Sequence, residues 1–273
     1  MAVRAVIGSW LAPARPEFPP LADGPERRML RIELVILLTV TFGIQGIRSL
    51  LELIDDLMSP VALGDQSVAI NQPQASVSVI DLLTQLTSVA VLVAWGALAL
   101  FLLARTGIRP AMVGMDRNRL GRDTAWGAGL AAVIGIPGLL LYLAAVTLNL
   151  SKKVAPSTLV DSWWTGAVLI LLAVANAVAE ESVVVAFVIT RLRQFGMHEN
   201  ASLVSAAVLR GSYHLYQGWS AFVGNALMGL LLGRIWQRTN RLWALVVTHA
   251  LLDIVAFLGY QVLHGHVSWL PAN

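Results

Sequence analysis

A few short stretches carry residue types able to do acid–base or metal chemistry, and all lie in apolar surroundings. Glu180-Glu181 interrupts a segment with no other charge from Ser162 to Thr190. Arg210-Gly-Ser-Tyr-His214 places a guanidinium and an imidazole four residues apart, on one face if helical. His249-Ala-Leu-Leu-Asp253 repeats that spacing with an imidazole and a carboxylate, and Asn176 stands four residues before Glu180. An acidic residue at the centre of a membrane helix costs roughly 2.5–3.5 kcal/mol on insertion scales, so such residues pair with one another or line a polar cavity.

The chemistry open to these groups is limited. Two imidazoles bind a divalent metal or orient a water. A carboxylate in a low-dielectric setting can serve as general base. A second carboxylate beside it shares a proton or completes a metal shell, and neutral donors stabilise a tetrahedral oxyanion. These are the parts of an amide hydrolase, and inside a membrane they need a cavity open to water. Other readings stand beside this one. Arg210 could serve only to neutralise a glutamate, His249 and Asp253 could be a mutually satisfied pair, and an intramembrane His is often an interhelical hydrogen-bond partner.

The elements that must position these groups are membrane helices. The chain has 273 residues, 57% hydrophobic and 13% charged, with a mean hydropathy of +0.71. A soluble domain carries about 25% charge. The composition predicts an all-α, polytopic helical bundle whose partner is the lipid bilayer. Cysteine is absent, which excludes disulfides, thiol catalysis and Cys-ligated metal. With a net charge of +3 and no basic-aromatic patch, nucleic acid is not an expected partner.

Residues 1–31 read as a basic, proline-rich arm. Apolar segments follow at 32–54, 82–104, 124–150 (with Pro137 as a kink), 162–190 and 242–263. The stretch from Ala201 to Gly233 reads as a hairpin of two spans broken around Tyr216-Gln217-Gly218. This gives about seven transmembrane helices. Most of the 19 Lys and Arg then fall on one side: those of the arm, of the loop from Arg105 to Arg122, Arg191 with Arg193, and Arg234 to Arg241. The positive-inside rule puts that side, and the N-terminus, in the cytoplasm. The organisation is an arm at 1–31, N-terminal helices at 32–161, motif-bearing helices at 162–263 and a tail at 264–273. At about 1.5 Å rise per residue, Glu180, His214, His249 and Asp253 fall in a band roughly 10 Å deep, where they can converge from three helices.

With these residues in place, the chain resembles the CAAX protease and bacteriocin-processing family, also called the ABI or type II CAAX prenyl endopeptidase-like family. The family pattern is Glu-Glu-x-x-x-Arg, then Phe-x-x-x-His, then His-x-x-x-Asn or Asp. Glu180-Glu181, His214 and His249-x-x-x-Asp253 match it in order and spacing. The resemblance implies an intramembrane, glutamate- or metal-dependent endopeptidase acting on a peptide bond of a membrane-associated or prenyl-type substrate, in a prokaryotic cell membrane. It implies Glu180 as the base that activates water, with Glu181 in support. His214 would bind or position that water or a metal, and His249 and Asp253 would act as ligand or oxyanion support. The metal set implied is Glu181, His214 and His249, around a divalent ion such as zinc. Two positions depart from the pattern: Val185 stands where the family has arginine, and Arg210 where it has phenylalanine. Either Arg210 moves the positive charge to the neighbouring helix and joins the site, or the chain is an inactive paralogue acting as a membrane scaffold or immunity-type binding protein.

Overall fold

The computed structural model describes residues 24–263 and 266. Most of the expected arm, at 1–23, and the tail apart from His266 lie outside the described residues. Among the described residues eight helices form: α1 (Pro25–Val40), α2 (Phe42–Met58), α3 (Ser78–Arg105), α4 (Leu120–Thr147), α5 (Thr165–Gln194), α6 (Glu199–Ser212), α7 (Trp219–Thr239) and α8 (Leu242–Leu263). Four of them (α3, α4, α5 and α8) are long and apolar enough to cross a membrane, or up to five spans if α1 and α2 together make one bent by 47°. The chain is an integral membrane protein. The bend falls at Thr41, whose hydroxyl donates to Leu37 O at 2.6 Å, a back-bond that competes with the helical ladder.

The break expected within 201–233 is present. α6 and α7 run as an antiparallel hairpin, with Gly211 against Phe222, Ala207 against Gly229 and Leu203 against Gly233. A Cβ on Gly211 would lie 2.8 Å from Phe222 O, so glycine is what lets the two backbones meet. Neither helix qualifies as a span on its own. With 14 residues, α6 is only about 21 Å long, short of a hydrocarbon core of about 30 Å. Asn225, Arg234 and Gln237 interrupt α7. Among the described residues, four of the seven expected spans, or five, are borne out by length and composition.

α5 is the centre of the bundle. In its apolar window 72% of residues are buried, against 22%, 6% and 44% for α3, α4 and α8. A helix apolar on all sides must be surrounded by others, and α5 packs against α3, α6, α7 and α8. Its C-terminal end carries Arg191, which is fully buried rather than at a water-facing terminus. Arg191 donates to Glu33 at 2.8 Å, Leu102 O at 2.8 Å and Thr106 at 3.0 Å, tying α5 to α1 and α3. α8 lies along α4, where Gly127 leaves room: a Cβ there would sit 2.6 Å from Ala244 O. Pro137 lies inside α4 without interrupting it.

Two connections between the apolar segments pair as strands. β1 (Ser67–Asn71) and β2 (Lys153–Ser157) form a parallel two-stranded sheet, with Ser67 opposite Lys153 and Asn71 opposite Ser157. Parallel pairing of strands so distant in sequence leaves no local signal. Beside this sheet, Lys152 pairs with Asp56, and Ser151 donates to Gln217 O at 2.8 Å.

Candidate active site

Helical register changes where the glutamates begin. α5 is α-helical to Glu180 and winds as a π-helix from Glu181 to Ile189 before returning to α-helix. π-turns are rare and recur at functional sites. Here the wide segment is buried throughout, with Glu180 and Glu181 at 2% and 0% exposure. Buried carboxylates must be met by donors, and the surrounding helices supply them.

Glu180 Oε1 accepts from Asn176 Nδ2 at 3.1 Å, one α-turn earlier. The same amide nitrogen donates to Asp253 Oδ2 at 3.2 Å, so Asn176 bridges α5 to α8. Glu180 Oε2 accepts from the phenol of Tyr213 at 2.6 Å and lies 3.3 Å from Arg210 Nη2. Glu181 Oε1 accepts from the same Nη2 at 2.6 Å and lies 2.9 Å from His249 Nδ1. His249 Nε2 faces Asp253 Oδ2 at 3.5 Å, a charge contact rather than a close hydrogen bond.

His249 Nδ1 also lies 2.8 Å from Arg210 Nη2. Arginine can only donate. Nδ1 thus lies between a donor, Arg210 Nη2, and an acceptor, Glu181 Oε1, and one tautomer satisfies only one of the two contacts; with Nδ1 as acceptor from Arg210, the ring proton sits on Nε2, toward Asp253. The structure thus brings together Glu180, Glu181, Arg210, His249 and Asp253.

His214 stands apart. α6 ends at Ser212, so His214 opens a short 3-10 turn (Leu215–Gln217) and does not share the helix face of Arg210. Its ring packs edge-on to Tyr213, with centroids 4.7 Å apart. Its Nδ1 is buried and has no hydrogen-bond partner among the described residues. The turn is held from α2, where Ser49 Oγ donates to Tyr213 O at 3.1 Å and accepts from Tyr216 N at 2.9 Å.

As arranged, the expected metal set does not fit an ion. Glu181 and His249 are neighbours, His214 is separate, and a guanidinium nitrogen contacts the first two. Among the described residues no group of three His, Asp or Glu is set to hold a metal.

Tyr213 and Ser49 went unnoticed in the sequence. Tyr213 had a weak signal, as a phenol beside His214 in an apolar segment, where a buried hydroxyl needs a partner. Ser49 had none. His198 caps α6, its Nδ1 accepting from Asn200 N at 3.3 Å.

One further ion cluster fixes where α8 begins. Arg241 donates to Asp123 at 2.8 Å and to Asp116 at 2.5 Å, joining α8 to the start of α4 and the loop before it. The hydrogen bond from Arg241, helped by the Asn118 backbone N–H, holds the Asp116 carboxyl below its ordinary value of 3.8. The bonds to Asp123 and then Asp116 push the Arg241 guanidinium up.

No curated protein and no solved structure matches the chain. One family model does, over residues 162–255, which include Asn176, both glutamates, Arg210, Tyr213, both site histidines and Asp253. That model is described as "Type II CAAX prenyl endopeptidase Rce1-like", and the match bears out the CAAX-protease family resemblance of these motif-bearing helices.

Proposed function

We propose that the chain is an intramembrane endopeptidase that hydrolyses a peptide bond in a membrane-associated or prenyl-type peptide or protein substrate. Glu180 is its base. The observation that carries this reading is the position of Glu180: buried at mid-helix, oriented through both oxygens, and one residue from a second glutamate that shares Arg210. A positioned carboxylate of this kind takes a proton from water as the oxygen attacks the scissile carbonyl carbon. His214, whose buried Nδ1 has no partner among the described residues, positions that water, and the charge developing on the carbonyl oxygen is met by the His249–Asp253 pair. Glu180 returns the proton to the amine nitrogen as the C–N bond breaks. Asp253, with a side chain 22% exposed, lies at the accessible edge of the cluster.

The test is cleavage of a fluorogenic peptide ending in a prenylated Cys-aliphatic-aliphatic-X sequence by the purified chain in proteoliposomes. Cleavage abolished by Glu180→Gln supports the reading, and cleavage unchanged in that variant sinks it. A second reading, a non-catalytic membrane partner, draws on the saturation of Glu180 by Asn176, Tyr213 and Arg210. It requires a cellular phenotype that survives both Glu180→Gln and His214→Ala.

A further inference from the structure

Three donor atoms on two helices surround a single nitrogen. Around Arg210 Nη2 lie Glu181 Oε1 at 2.6 Å, His249 Nδ1 at 2.8 Å and Glu180 Oε2 at 3.3 Å. One imidazole and two carboxylates form a donor set of the kind that holds zinc at catalytic centres, where the bonds are about 2.0–2.2 Å long. Here the same set encloses a hydrogen-bonding cation at longer range. Arg210 is fully buried and keeps its charge at any working pH. It enters from α6 beside Gly229 of α7, where a Cβ would lie 3.2 Å from Arg210 Cδ. Where the family pattern has an arginine on α5 itself, this chain has Val185, which is 2% exposed and packed in the apolar core.

We infer that Arg210 is the resident cation of this site. Its Nη2 fills the point on which Glu180, Glu181 and His249 would converge around a divalent ion. The chain excludes such an ion there while Arg210 is present and gains a three-ligand divalent-metal site when Arg210 is removed. A divalent ion at that point would have to displace a permanent charge that is already paired with two carboxylates. Without the guanidinium, the two carboxylates and the imidazole have only to close by about an ångström to reach metal-bond distance.

The experiment is titration of the purified full chain in detergent micelles with cobalt(II), read by its visible absorption bands, which report coordination by protein ligands. The expected result is no such bands for the native chain. Arg210→Ala is expected to take up one equivalent with strong bands and a raised thermal midpoint, and the Arg210→Ala/His249→Ala double variant to lose both. Arg210→Met, which keeps much of the side-chain volume, serves as a second variant should Arg210→Ala fold poorly. Recovery of either variant only in the presence of cobalt also supports the inference. Bands in the native chain that vanish in His249→Ala overturn it, as do a folded Arg210→Ala chain without bands and bands that persist in the double variant. The native-chain measurement decides on its own if neither Arg210 variant folds. No arm reads peptide cleavage, so a chain that cleaves nothing leaves the outcome unaffected.

Discussion

Tyr213 Oη lies 2.6 Å from Glu180 Oε2, and the same phenol ring packs on His214 and on Phe42 at centroid distances of 4.7 and 4.8 Å. Tyr213 therefore ties the orientation of the base to the turn that carries His214 and to the start of α2. Tyr213→Phe keeps these ring contacts and removes only the donor. Glu180 retains Asn176 and Arg210, so the expected loss is about 1–2 kcal/mol, roughly five- to thirtyfold in turnover if it falls on the transition state. Thermal unfolding together with peptide cleavage checks this. A change in stability with turnover untouched would assign Tyr213 to the scaffold alone.

Arg210 is the hub of a buried charge cluster with both glutamates. Removing one partner of a buried pair costs about 3–5 kcal/mol, because the other charge is left uncompensated. Arg210→Met is expected to destabilise the chain by that order. Adding Glu181→Gln should recover a substantial part, since it removes the carboxylate closest to the lost guanidinium. A double-mutant cycle on the unfolding midpoint measures the coupling, and strict additivity of the two changes would contradict direct pairing.

Asn176 is the single amide that donates to both Glu180 and Asp253. Asn176→Leu removes two hydrogen bonds, whereas Asn176→Asp also sets a third carboxylate against two others. The expected order of stability is therefore native, then Asn176→Leu, then Asn176→Asp, with the last step worth about 1–3 kcal/mol by like-charge repulsion in a buried setting. Unfolding in detergent at neutral pH checks the order.

The Arg241 cluster predicts a pH dependence. The Asp116 carboxyl is held below its ordinary 3.8 in the folded chain. A group with a depressed folded value contributes stability above its unfolded value, and that contribution fades as pH falls through the folded one. Asp116→Asn is thus expected to lower the thermal midpoint slightly at about pH 6–7. The difference from the native chain should shrink as pH falls below 3.8 and close once pH passes the lower folded value. Because the Asp116 side chain keeps some exposure, at 12%, salt should shrink the effect.

The helical membrane class was legible because apolar runs long enough to cross a bilayer declare themselves by composition. The site was partly legible for a related reason: a charge in hydrocarbon is costly, so Glu180, Glu181, Arg210, His249 and Asp253 stood out wherever they fell. Residues whose polarity is ordinary gave no such signal. Ser49 is one serine among many until its hydroxyl meets the Tyr213–Tyr216 turn.

By itself the sequence determined which groups had to find partners, because burial leaves a carboxylate or guanidinium no other choice. Only the tertiary structure decided which partners they found. Helix spacing put Arg210 and His214 on one face, yet the helix ends at Ser212 and sends the two apart. Arg210 then meets α5 and α8, while Tyr213, between them in sequence, takes the contact with Glu180. The π-helical winding after Glu180 and the parallel pairing of β1 with β2 were likewise decided by the tertiary structure. Local periodicity reports which face of a segment is apolar. It does not report where packing against distant helices makes that segment widen, pair or stop.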